Sequence, residues 1–202
     1  QGVTLTIEPG VVVKFSDDKF LKIDGNIIAS GTSTQTIEFL SSTSTGTWEG
    51  IKIRPTSTTS LTIDLQNQNY TYQSGSVFSF VRFKNANKAL YVFDTSIYVA
   101  NSSFELCNYG IEIRATENVI IKDNTFSGID RSNNTIGIYT HYEDNSSGDY
   151  VNEITNTVIT GNIFTNNRLG LSLNMNQRVF EDFNVLNNII KNNTTGIKFS
   201  GG

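Results

Sequence analysis

The sequence holds one histidine, His141, with Tyr139 two residues before it and Tyr142 directly after. Some thirty residues upstream, Glu112 and Arg114 repeat the same two-residue spacing. Side chains alternate between the faces of a strand, so Tyr139 and His141 would share a face, as would Glu112 and Arg114. If the two segments lie side by side, a phenol, an imidazole, a carboxylate and a guanidinium form one patch. Such a patch could bind a glycan, with tyrosine stacking on sugar rings and Glu, Arg, His and the amide of Asn174 bonding hydroxyls or a uronate carboxylate. It could also carry out β-elimination or epimerisation, with Tyr139 or His141 as base and Arg114 neutralising a carboxylate. Or it could be an ordinary exposed ladder, in which charges and rings pair across strands for stability alone. All three readings stay open at this point. The candidate residues are Glu112, Arg114, Tyr139, His141, Tyr142 and Asn174.

What would position these residues is a repeat. Residues 159–173 and 185–199 both read apolar–x–x–Asn–x–apolar–x–x–Asn–x–x–Gly–apolar–x–apolar. Anchored on the apolar residue six before the Gly, the phrase continues upstream through Phe164, Phe104 and Phe83, the last with Ala89 in place of Gly. Phe126 has its Gly137 eleven residues on, so residues 129–134 contain an insertion. The anchors Phe83, Phe104 and Phe126 are 21 and 22 residues apart, and the next intervals are 38 and 26. Each Gly–apolar–x–apolar stretch alternates like a strand with one buried face. No single unit can bury that face alone, so the units must stack as turns of a solenoid. The expected fold is all-β, a single-stranded right-handed parallel β-helix of about nine turns, each of roughly 22 residues. The recurring Asn is expected to adopt the left-handed backbone region at a corner and to bond the turns above and below. In this register Glu112 falls beside Tyr139, and Arg114 beside His141.

Upstream of the clear repeat, residues 3–7, 11–15, 20–23, 26–29, 36–40, 50–54 and 61–65 read as short strands, and 66–76 as a polar loop. The repeat proper reads as starting at Val77. The two longest connections, after Thr140 and after Leu173, leave the same corner on successive turns, and would wall a shallow groove over the candidate residues. The stretch 144–149 has some of the character of a calcium loop but breaks the EF-hand spacing and lacks its distal Glu, so it reads as a solvated turn.

The C-terminal hundred residues resemble the parallel β-helix repeats of the carbohydrate-binding and sugar-hydrolase superfamily. The N-terminal run from Gly2 to Phe15, with Pro9-Gly10 at its centre, resembles the opening turns of β-helix domains in large secreted surface proteins. Leu21-Lys22-Ile23-Asp24-Gly25 and Trp48-Glu49-Gly50-Ile51 continue that likeness. The resemblance implies functions ranging from lyases, hydrolases and epimerases to adhesins and inert stalks. The acidic clusters, Asn-Thr-Asp, Gly-His-Gly and Asp-Pro-His phrases of the enzymes it points to are absent here, which favours a non-catalytic carbohydrate-binding or adhesive module. A polysaccharide lyase or epimerase and a passive stalk or surface-layer element are the alternatives.

Composition sets further bounds. A net charge of −4 gives no electrostatic reason to expect nucleic acid or an anionic membrane as partner. No stretch is long and apolar enough for a membrane helix. A single cysteine, Cys107, excludes an internal disulfide and a thiolate metal site. It falls where later turns carry Asn167 and Asn193, so a buried turn residue is expected. Trp48 is expected to pack rather than to offer a sugar platform. Six Asn-x-Ser/Thr sequons, at Asn69, Asn101, Asn133, Asn145, Asn192 and Asn193, fit an extracellular or cell-surface location. No metal or cofactor is expected. Residues 1–202 are expected to form one β-helix domain, a monomeric segment of a longer secreted chain with a polysaccharide or glycoconjugate as partner.

Overall fold

The structure, a computed structural model, describes residues 2–54, 59–128, 135–141, 154–174 and 181–200. Within these, three parallel sheets of seven strands run side by side. The chain visits them in fixed order. Thr4–Ile7 opens sheet 1, Val12–Phe15 sheet 2 and Phe20–Ile23 sheet 3, after which Asn26–Ser30 returns to pair with Thr4–Ile7. Seven coils follow this path, ending with Glu181–Leu186, Ile189–Lys191 and Thr195–Ser200. The fold is therefore the parallel β-helix that the repeat predicts. The coils number seven because insertions take up residues that a uniform 22-residue repeat would assign to further turns. The coil pattern also begins at Thr4 rather than at Val77: the first two coils carry the same three strands under a less regular sequence.

Inside the bore, residues of one kind fall in rows. Val13, Phe39, Phe83, Phe104, Phe126, Phe164 and Ile190 occupy one row of sheet 2. The rings from Phe39 to Phe164 stack at centroid spacings of 5.4, 4.8, 4.6 and 4.8 Å, nearly parallel. The parallel ladder itself, with strands about 4.8 Å apart, dictates that separation. Glycine in the adjoining strand is required by the same rings. A Cβ on Gly110 would lie 2.6 Å from the Phe126 ring, and one on Gly137 would lie 2.5 Å from that of Phe164.

The corner between sheets 1 and 2 divides between two residues what the sequence assigns to one. Asn101, Asp123, Gly161 and Asn187 take the left-handed conformation, and each precedes the ladder residue rather than being it. Behind them Ser102, Asn124, Asn162 and Asn188 turn inward and link the coils. Asn124 N donates to Asn162 Oδ1 and Asn162 N to Asn188 Oδ1, both at 2.9 Å, while Asn162 Nδ2 donates to Ile121 O at 2.9 Å. A second ladder stands at the next corner, where Asn167 N donates to Asn193 Oδ1 at 2.9 Å. Cys107 fills the matching place two coils earlier and is buried. Burial pushes its thiol up to about 12. Trp48 is buried against Phe15, 4.4 Å between centroids, and its Nε1 donates to Lys84 O at 2.9 Å. It is a packing residue.

One insertion departs from the sequence reading. Residues 66–76, read as a loop, contain the strand Asn69–Ser74, which pairs antiparallel with Ser60–Asp64. This hairpin lies over the outside of sheet 1, where Leu61, Ile63 and Tyr70 cover Tyr98, Ile120 and Val158. Alternation on sheet 1 puts those three residues on the solvent side, and the hairpin is what makes apolar side chains stable there.

Candidate functional site

The outer face of sheet 3 displays the side chains left over from packing. Its central outward row runs Lys22, Lys52, Tyr91, Glu112, Tyr139, Ser172, Lys198. Glu112 thus sits directly beside Tyr139, as the register predicts. The parallel pairing extends one residue past Thr140, where His141 N donates to Ile113 O at 2.9 Å, and so His141 comes level with Arg114. Asn174 holds the same position on the following coil. Five of the six candidate residues therefore share one face. The sixth, Tyr142, lies outside the described residues, as do most of the two connections expected to wall a groove and the stretch 144–149.

Glu112 corrects the expectation of an exposed ladder. It points away from the bore yet is only 1% exposed. Arg114 Nε lies 2.6 Å from its Oε1, and Lys88 Nζ lies 2.8 Å from its Oε2 in an ion pair whose angle is poor for a hydrogen bond. A buried carboxylate is tolerated only when charge-paired in this way. The consequence is positional, because both cations are drawn down onto the sheet. Lys88 Nζ stands 5.4 Å from the Tyr91 ring centre and 5.7 Å from that of Tyr109, and the Arg114 guanidinium is 5.3 Å from Tyr91. These are cation–π distances, and they fix the tyrosine rings as well.

One coil on, the Tyr139 hydroxyl lies 2.7 Å from His141 Nδ1. The Tyr139 ring is 5.6 Å from Tyr109 and 5.4 Å from His141, tilted against both. Burial holds the Tyr139 phenol above the ordinary tyrosine value; a hydrogen bond with Asn174 opposes this, Glu112 and Tyr109 reinforce it, and Arg114 opposes it. At neutral pH the Tyr139 hydroxyl keeps its proton, and the tautomer of the imidazole decides which of the two donates.

Three members of this cluster escaped the candidate set: Lys88, Tyr91 and Tyr109. Tyr91 is in the outward row, and its place is readable from alternation. Lys88 and Tyr109 pair with each other across coils, but each precedes the small residue at which alternation stops. Gly110 and Ile111 both face inward, so Tyr109 is returned to the outside. The glycine itself was the signal.

Chemically the face offers three tyrosines, two paired cations, an imidazole and an amide on a rigid sheet. Among the described residues no group of three or more His, Cys, Asp or Glu is placed to hold a metal ion. Thr140, between Tyr139 and His141 in sequence, is buried, and its Oγ1 accepts from Asn174 N at 3.0 Å.

The sequence matches a model of the right handed beta helix region over residues 9–202. No curated protein matches it. Among solved structures it is similar to an alginate lyase from Paenibacillus sp. str. FPU-7, at 14% identity and a TM-score of 0.27, covering 94% of this chain and 75% of that one.

Proposed function

We propose that this chain, which belongs to the right-handed β-helix family, is a non-catalytic module that binds an extended carbohydrate on the outer face of sheet 3. The observation that carries the reading is the buried Glu112, which fixes Lys88 beside the rings of Tyr91 and Tyr109 and Arg114 beside that of Tyr91, with Tyr139 packed next to Tyr109. Rigid aromatic rings interleaved with hydrogen-bond donors suit sugars, whose ring faces are apolar and whose rims carry hydroxyls. An open sheet face suits a chain of sugars better than a compact metabolite. An extracellular or cell-surface setting, with adhesion as one outcome of binding, is supported by the short polar side chains of the surface and by exposed sequons at Asn69 and Asn101.

A lyase or epimerase is the second reading, favoured by the short Tyr139–His141 contact. The raised Tyr139 phenol makes it a reluctant base at neutral pH, and Glu112 is held in ion pairs. The two readings part on a direct assay. Binding on a glycan array, lost on combining Tyr139→Ala with Lys88→Ala, supports the module. Unsaturated-uronate absorbance appearing on alginate or pectin would replace it with the enzyme. Neither signal, across a broad panel, would leave a passive stalk.

A further inference from the structure

Charge is spread unevenly over this molecule. The chain as a whole holds 15 basic and 19 acidic residues, yet on the outer face of sheet 3 the balance is reversed. Its central row brings out Lys22, Lys52 and Lys198. The row two residues on brings out Asp24, which bonds Lys22, then Arg54, Phe93 and Arg114. With Lys88 and Glu112 these rows hold six cations against two carboxylates. Three of the cations are already neutralised, Lys22 by Asp24, and Lys88 and Arg114 by Glu112. Lys52 and Arg54 are different. Among the described residues neither pairs with a carboxylate.

Both stand on the second coil, beside a pair of rings on the third. Lys52 pairs with Tyr91 in the ladder, and Arg54, one residue past the pair of Ile53 with Val92, comes level with Phe93. The rings of Tyr91 and Phe93 lie 6.4 Å apart and within 4° of parallel. On the fourth coil Arg114 pairs with Phe93 in turn, its guanidinium 5.3 Å from the Tyr91 ring. Two parallel rings are thus flanked by cations on both neighbouring coils, and only those on the second coil lack a carboxylate.

We propose that Tyr91, Phe93, Lys52 and Arg54 form a subsite for an acidic sugar, and that the glycan bound on this face carries carboxylates taken up by Lys52 and Arg54. This rests on the carbohydrate reading and narrows it to acidic polysaccharides. A sugar stacks on the rings through its apolar face. A carboxylate on its rim then needs to reach only one strand away, about 4.8 Å, to meet the two cations. Because Lys52 and Arg54 have no carboxylate of their own, that of the ligand displaces nothing. Beyond Glu112 the central row turns uncharged, with Tyr139 and Ser172, so the acidic sugars sit toward the second coil. The rest of the chain is negative and repels a polyanion, so binding depends on this local surplus and weakens as salt screens it.

Isothermal titration calorimetry at low and high salt tests this with three probes: a uronic acid hexamer, the same hexamer with its carboxylates reduced to alcohols, and polyglutamate. The acidic hexamer should bind about tenfold more tightly than its reduced form at low salt, and lose that advantage at high salt. Combining Lys52→Ala with Arg54→Ala should remove the advantage by weakening the acidic hexamer alone, whereas Lys52→Arg with Arg54→Lys should keep it. Both side chains lie outside the bore, so far-UV circular dichroism should show every variant folded. Polyglutamate, which has no ring to stack, should bind far more weakly than the acidic hexamer. Equal binding of the two hexamers would overturn the acidic subsite and leave the carbohydrate reading standing. Polyglutamate binding as tightly as the acidic hexamer would overturn the subsite as a sugar site. No binding of either hexamer would overturn both.

Discussion

The inner row of sheet 2 and the outer row of sheet 3 rest on the same backbone translation, yet they carry opposite kinds of sequence. The inner row repeats one residue, Phe, over five successive coils from Phe39 to Phe164. The outer row, after Lys22 and Lys52, changes at every step, from Tyr91 to Glu112 to Tyr139 to Ser172. Inside, a ring is stabilised most by an identical ring one strand away, so packing dictates the residue. Outside, packing makes no such demand, and a buried Glu112 with two cations around it is a departure that packing does not explain. The difference teaches where to look for function in a solenoid: in the row that does not repeat.

The comparison can be broken most forcefully from the inside. Truncating Phe126, stacked between Phe104 and Phe164, should cost about 3–5 kcal/mol. Denaturant unfolding measures it, and a loss below about 1 kcal/mol would mean that the bore is less tightly packed than its ring spacing implies. Asn162→Leu comes next. It strands the backbone N of Asn124 and the carbonyl of Ile121 and should cost about 1–3 kcal/mol, read in the same way. An unchanged midpoint would show that the Asn ladder is ornamental.

Cys107 supplies a pH test of the interior. Its thiol is raised from 9.0 to about 12 in the folded protein. The unfolded chain therefore loses this proton first, and the group's contribution to stability, full below pH 9.0, is lost as pH rises toward about 12. At pH 8 the thiol should react with a disulfide reagent at the rate of unfolding, not of encounter. Fast labelling in native buffer would show the second corner to be open. The smallest effect belongs to the outer row. Tyr139→Phe removes one hydroxyl from a half-buried hydrogen bond with His141 and should change stability by about 1 kcal/mol or less, while weakening glycan binding measurably.

Much of the fold could be read from residue spacing because the rows inside the bore are strict. Phe anchors, ladder asparagines and Gly–apolar–x–apolar strands each follow from one packing demand, and together they fix the register that puts Glu112 beside Tyr139. The first coil was harder to read, because Leu5, Ile7, Val13 and Leu21 satisfy the same rows without the small residue that opens the sheet 3 strand in later coils, as Gly50 does in the second. The hairpin was harder still. Nothing local in residues 66–76 announces a strand, since Tyr70 is held there by Ile120 and Val158, some fifty and ninety residues away. The Asn corner was half legible: its bonding role was readable, but the left-handed turn falls on the preceding residue, such as Asp123 or Asn187. At the site, alternation placed five candidates on one face. It could not report that Glu112 is buried, because that depends on long side chains from two other positions folding over it.

The central claim is that the non-repeating outer row of sheet 3 is a carbohydrate face, and its most direct test is a backbone and side-chain NMR titration with oligosaccharides. The account predicts saturable shifts confined to Tyr91, Tyr109, Arg114, Tyr139, His141 and their neighbours, absent from the Phe126 row and from the hairpin. Shifts confined to another face, or none across neutral and acidic glycans, would contradict it.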